Sequence, residues 1–480
     1  MIGRVFRRFG REGVWLRLIG AAVVVLALGI APVPLSLTQA VGEGRAAAAA
    51  GEYARAADAF HRAVAYQPWE SETLSAAAEM SLLAGDHGAA ARDLERLARL
   101  RALQAEEIGW LGAAYTGLGR VDEAVSLWED ARAQGLVEPG SLAGLAEIYI
   151  ARREWKQAGD VLANLARFAP GDAGLHYRLG LIQALDEPDW AVVALAQAVA
   201  LDPSLAEPLA DLRTVLDERP ADPPDLAYTR LGIAYLRLEE LPLAEEALSR
   251  AVAYNPAYGE ALAYLAYVRA RLDEPALGAA QQALALSPDS PAVLSLVGLT
   301  WKQLSRPIEA RTAFEKAYAL DPSNPAFAVE IAATHRAEHA YEWAEIWMQE
   351  AVRLAPDDPR FKILLAQFYV DEEYRVEEAG LPLAEELVAE LPESAAAHEV
   401  LGWAYFLTGD VTAARRELEQ ALSLNPELAR AHAHMGILLE EQGQIGAALE
   451  HYTTASELEP DGPFGELARR ALDRILEGGG

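Results

Sequence analysis

Residues 291–324 read PAVLSLVGLTWKQLSRPIEARTAFEKAYALDPSN, and residues 395–428 read AAAHEVLGWAYFLTGDVTAARRELEQALSLNPEL. The two share one frame. Val297-Gly298 is followed by Trp301 as Leu401-Gly402 is by Tyr405, and Ala317 precedes Pro322 as Ala421 precedes Pro426. Working outward, Pro288, Pro322 and Pro356 keep a spacing of 34, as do Pro392, Pro426 and Pro460. Ala283, Ala317 and Ala351 keep the same step, then Ala421 and Ala455, and a second row runs Ala310 to Ala344 and Ala414 to Ala448. The glycine mark recurs at Leu111-Gly112 with Tyr115, at Leu231-Gly232 with Tyr235, and at Gly436. A large residue stands in the second half of the period: Trp128, Phe314, Met348, Tyr452.

Self-similarity at such a period marks an array in which each unit buries its apolar face against the next. Antiparallel helices approach closely only where side chains are small, so Gly and Ala sit at the crossing and Leu, Tyr and Phe fill the adjoining space. Proline lacks an N–H and ends each unit. Asp321 and Asn425, just before proline, favour extended backbone there. Alanine, leucine, glutamate and arginine dominate, all good helix formers. The expectation is an all-α chain.

These residues resemble the tetratricopeptide repeat, whose 34-residue helical hairpins stack into a right-handed superhelical solenoid. The resemblance covers residues 41–460 and implies about 12–13 hairpins. The unit at 69–104 lacks its proline, with Ala102 in that place, and the unit at 359–394 carries about two extra residues around Asp371–Leu381. Residues 204–224 hold one helix-length segment and then Pro220, Pro223 and Pro224, so they read as a spacer between a first array (41–203) and a second (225–462). Residues 463–480 read as a solvating cap helix and tail.

The first 17 residues carry Arg4, Arg7, Arg8, Arg11 and Arg17, and no charge follows from Leu18 to Gly42. Leu18 to Leu37 would span roughly 30 Å as a helix, enough to cross a bilayer. The expectation is a basic cytoplasmic tail at 1–17, a transmembrane signal-anchor at 18–40 and an extracytoplasmic repeat region. A signal peptide cleaved near Thr38-Gln39-Ala40 is the other reading.

Net charge is -31 and there is no cysteine. Disulfides and thiolate chemistry are excluded, and an acidic surface repels nucleic-acid backbones. His335-Arg336-Ala337-Glu338-His339 matches the inverted zinc-peptidase pattern. In the repeat frame, however, His335 takes the place of Tyr115 and Tyr235 and reads as packing. His398 and His432 share one place and read likewise, with His434 on another face. No catalytic residue, metal site or cofactor is expected.

In the repeat family the first helix of each hairpin lines the concave groove. That register implies a partner-binding groove formed by Tyr177, Leu181, Ile233, Leu236, Tyr267, Leu299, Val329, Ile363, Trp403, Phe406 and Ile437. Trp403 and Phe406, one turn apart, form the best-defined anchor. The resemblance implies a non-enzymatic scaffold that binds peptide segments or helices of other proteins, at work in an envelope or secretion assembly. The alternative is an accessory subunit of a polysaccharide or glycosyl-transfer system that binds glycan or carrier lipid.

Overall fold

The computed structural model describes residues 35–478. Among these are 26 α-helices and no strand. The chain divides into two compact units, with the boundary after Leu216. In the first unit five hairpins run from Leu35–Ala49 with Tyr53–Tyr66 to Ala173–Asp186 with Pro188–Leu201. In the second, seven hairpins run from Pro224–Arg237 with Leu241–Tyr254 to Ala429–Glu441 with Ile445–Leu458, followed by the single helix Pro463–Gly478. Residues 204–224 hold the short helix Ala210–Glu218, the 3-10 turn Arg219–Ala221 and the end of another, Pro203–Leu205.

Each hairpin follows from local chemistry. Asp321 (φ -136°, ψ 80°) and Asn425 (φ -139°, ψ 96°) leave the helical region before the exposed Pro322 and Pro426. Pro356 and Pro460 take the same exposed place. The next helix is then capped: Asn324 Oδ1 accepts from Ala326 N at 3.0 Å and Asp358 Oδ1 from Arg360 N at 3.1 Å. Such caps contribute about 1 kcal/mol each. At the crossings Ala310, Ala317, Ala414 and Ala455 are wholly buried, and Ala351 and Ala421 nearly or fully so. A Cβ on Gly298 would lie 2.6 Å from Phe314, one on Gly436 2.6 Å from Tyr452, and one on Gly112 2.1 Å from Trp128. Gly232 and Gly402 face Leu248 and Leu418 in the same way. Tyr235 is fully buried, while Tyr115, Trp301 and Tyr405 are half-buried at the same register place.

One expectation about the fold needs adjustment. The last residues of the expected anchor, 35–40, lie in a helix that pairs with Tyr53–Tyr66. Leu35 to Ala40 open the first repeat helix, where Leu37 and Ala40 pack on Ala63. Leu37 and Ala40 face the hairpin core there, while Ser36, Thr38 and Gln39 are exposed. No described helix is long and apolar enough to cross a membrane. The basic tail at 1–17 and the rest of the expected anchor, 18–34, lie outside the described residues.

The unit at 69–104 ends its second helix without proline. Arg101 turns extended (φ -158°, ψ 167°), and its guanidinium holds the buried Glu107 at 2.7 and 2.6 Å. The extra residues near 371–381 form a π-helical turn, Val376–Gly380. It is entered through Arg375 in the left-handed region (φ 51°), whose guanidinium reaches Glu345 at 2.6 Å.

Candidate partner-binding surface

First helices of several successive hairpins lie side by side. In the second unit Pro359–Asp371 touches Ala395–Leu407, which touches Ala429–Glu441, which touches Pro463–Gly478. Equivalent side chains on these helices therefore fall into rows. Ile233, Leu236, Tyr267, Leu299, Val329, Ile363, Trp403, Phe406 and Ile437 are all half-buried, and so is Tyr177 in the first unit. Leu181 is 2% exposed and belongs to the core instead. Ile363 and Trp403 pack on one apolar cluster, Phe406 and Ile437 on the next, and Leu299 on that around Phe314. These residues thus join repeats as well as facing outward.

Trp403 and Phe406 are engaged rather than open. Their rings stack at 4.6 Å, and Trp403 also stacks on His434 at 3.9 Å, tilted by only 4°. Phe464 of the last helix meets His434 edge-on at 5.5 Å. Beneath the rings lies a charged network. His434 Nδ1 is 2.6 Å from Glu399 Oε1, and Arg430 Nε donates to Glu399 Oε2 at 2.7 Å. Arg430 NH1 also donates to Asp371 Oδ2 at 3.0 Å, and its guanidinium lies 4.9 Å from the Phe464 ring centre. The Glu399 side chain is 1% exposed. Burial pushes the Glu399 carboxyl up, but the Arg430 charge and the His434 hydrogen bond outweigh it and hold it below the usual range. Sequence reasoning missed Glu399, Arg430, Asp371 and Phe464. None keeps step with the repeat, and the one available signal was His434 standing off the row of His398 and His432.

That row of histidines has its own geometry. His176, His398 and His432 each donate Nε2–H to the carbonyl of the proline six residues earlier, at 3.1, 2.9 and 2.9 Å. On the other side of the ring, His398 Nδ1 lies 2.7 Å from Glu417 Oε2, while His432 Nδ1 meets His451 Nδ1 at 2.9 Å. Burial and the neighbouring His432 push His451 below its ordinary value, and Glu450 opposes this. A histidine whose folded pKa is depressed contributes fully above its unfolded value, about 6.5, and the contribution is lost as pH falls through that value toward the folded one. Between pH 7.5 and 5.5, amides of Ile445–Leu458 are expected to lose hydrogen-exchange protection once intrinsic exchange is corrected for. His451→Glu, which copies the preceding repeat's pair, should abolish that loss. An equal loss in the variant would remove His451 as its source.

The zinc-peptidase pattern resolves into packing. Half-buried His335 stacks on Trp343 at 6.1 Å, and His339 occupies the left-handed hairpin turn (φ 55°) with Nδ1 2.8 Å from Tyr341 Oη. No group of three or more metal-ligating side chains is assembled among the described residues.

In the first unit the row is interrupted by a cavity of about 370 Å³. Trp110, Trp128 and Glu138 line it together with Gly109, Ala113, Gly140 and Gly144.

Among solved structures, a tetratricopeptide repeat protein from Parabacteroides merdae is 17% identical, covers 52% of this chain and 98% of its own, and has a TM-score of 0.44. Yeast Tom70 is 16% identical over 92% of this chain and 96% of its own, with a TM-score of 0.42. A chain of the APC/C hetero-tetramer Cut9-Hcn1 is 14% identical over 94% and 98%, with a TM-score of 0.36. No curated protein sequence matches the chain. Three repeat family models match, two described as tetratricopeptide repeat at 229–291 and 303–368 and one as TPR repeat at 402–443. Those three stretches are tetratricopeptide repeats.

Proposed function

We propose that this protein is a scaffold for other proteins, binding their peptide segments or helices along the row of first helices. The supporting observation is that surface itself: apolar and aromatic side chains, each half-buried, recur at three register places of the first helices, and Ile233, Tyr267, Leu299, Trp403 and Ile437 share one of them. A preformed surface of this kind holds a partner without ordering itself on binding. The uncharged stretch 18–34 behind five arginines supports the further proposal that the array is held at a membrane on the extracytoplasmic side, in an envelope or secretion assembly. The glycan-binding alternative is disfavoured by the stacking of Trp403 on Phe406 and His434, which uses up ring face that a sugar would need.

Partner capture from detergent-solubilised membranes tests the scaffold reading, comparing wild type with Leu236→Ser/Tyr267→Ser after both are shown to be equally folded. These two residues are half-buried rather than in the core, so folding is expected to survive. Loss of a partner in the variant is the expected result. An identical partner set would move binding off this row.

A further inference from the structure

The cavity in the first unit occupies a defined place in the repeat frame. Its small residues Gly109, Ala113, Gly140 and Gly144 stand, 290 residues earlier, where the second unit has Glu399, Trp403, Arg430 and His434. In the second unit that interval between two first helices is filled by the chain's own carboxylate, indole, guanidinium and imidazole, all hydrogen-bonded or stacked. In the first unit all four side chains are missing at once: the Glu138 carboxylate closes on Gly109 and Gly140, the Trp128 ring closes on Gly144, and a cavity of about 370 Å³ remains beside them. Its floor is the ring of Trp128, fixed by Nε1–H donating to Ile108 O at 3.2 Å, and Trp110 forms a wall.

Charge defines what the space would accept. Glu138 stands at the cavity with Oε1 accepting from Gly140 N at 2.8 Å and Oε2 from Ser141 N at 2.9 Å. Glu106 lies one turn before Trp110 on the same helix, and Glu79 lies on the preceding first helix. Burial pushes the Glu79 carboxyl up and Glu106 pushes it further, which places the two carboxylates in each other's field. None of Glu79, Glu106 and Glu138 has an ion pair among the described residues, whereas Arg101 and Arg178 of the same unit are paired with Glu107 and Glu147. The cavity therefore offers aromatic faces and the carboxylate of Glu138, which accepts two backbone N–H groups and has no cationic partner among the described residues. A flat cation on an apolar stem satisfies both, stacking on indole while facing carboxylate. The filled interval of the second unit houses such a group in Arg430, between carboxylates and an aromatic ring.

We propose that this cavity receives an arginine side chain from a basic segment of a partner protein, the partner supplying the guanidinium that the first unit lacks. This rests on the scaffold reading and gives it a partner chemistry. Acidic or phosphorylated segments are repelled from the same site.

The test is a titration of a short fluorescent peptide of alternating glycine and arginine against the full chain, with a lysine and a glutamate peptide of equal length, at low and high salt. The wild type is expected to bind arginine over lysine and to bind no glutamate peptide. Ala113→Leu fills the space without changing charge and is expected to weaken arginine-peptide binding by about tenfold, as the loss of a desolvated cation–π contact implies. Glu138→Gln keeps a polar cap on the helix and should weaken binding comparably. Affinity unchanged in Ala113→Leu, with arginine and lysine peptides indistinguishable, would mean only diffuse attraction to an acidic surface and overturns the proposal. So would no binding at all. Partner capture by the wild-type chain, run alongside, reports on the scaffold reading separately, since it does not depend on these peptides.

Discussion

Replacing Glu399 by alanine is expected to destabilise the second unit by about 3–5 kcal/mol, read as a lower urea midpoint. The carboxylate is 1% exposed and answers two cationic or proton-donating partners at once, Arg430 at 2.7 Å and His434 at 2.6 Å. Its removal leaves the 11% exposed Arg430 guanidinium with Asp371 alone. The loss should be local, because repeats communicate through nearest neighbours. Hydrogen exchange is expected to rise in Pro359–Asp371, Ala395–Leu407 and Ala429–Glu441 and to stay unchanged in the first unit. Adding Arg430→Met should recover part of the loss, since a pair removed together leaves no buried charge unanswered. The pH dependence has a fixed sign. Glu399 is depressed in the folded chain, so its contribution is complete above its unfolded value, about 4.3, and is lost as pH falls through the folded one. Glu399→Ala should therefore show a shallower acid transition than wild type. An unchanged midpoint would mean that the network carries no net stability.

The repeat was legible where chemistry recurs in register. Gly298 facing Phe314 and Gly436 facing Tyr452 were readable because a crossing needs the same small-against-large pairing each time. The ends of units were readable where proline marks them, and less so at Arg101, where an extended arginine and its bond to Glu107 do the same work. The helix Leu35–Ala49 was hidden because its first residues continue, in sequence, the uncharged stretch read as a membrane segment. Leu37 serves a hairpin core, and nothing in its immediate sequence says so. The candidate surface was half legible. Register gave the rows, but the contents of each interval depend on residues free to vary from unit to unit. Trp403 and Phe406 looked like an open anchor because His434, on the next helix, could not be seen to stack on them. The cavity was invisible for the opposite reason: Gly109, Ala113, Gly140 and Gly144 look like ordinary repeat glycines and alanines until the helices they lie on are placed side by side.

The pairing of small with large is itself testable at Gly298 and Phe314. Phe314 is fully buried and closes a cluster with Ala310 and Ile331. Phe314→Ala should cost about 3–5 kcal/mol, the transfer of the ring plus the cavity it leaves. Gly298→Leu alone should cost about 1–3 kcal/mol by overpacking, since even its Cβ would lie 2.6 Å from Phe314 Cε1. If each change fails for the stated reason, the double variant places the new side chain in the space the ring vacates. Its loss should then fall short of the sum of the two single losses by at least about 0.5 kcal/mol. Additive losses would show that the glycine is required by the approach of the two backbones rather than by the ring. The Leu–Gly, Val–Gly and aromatic marks that define the repeat would then report helix spacing alone, and side-chain volume would be free to vary behind them.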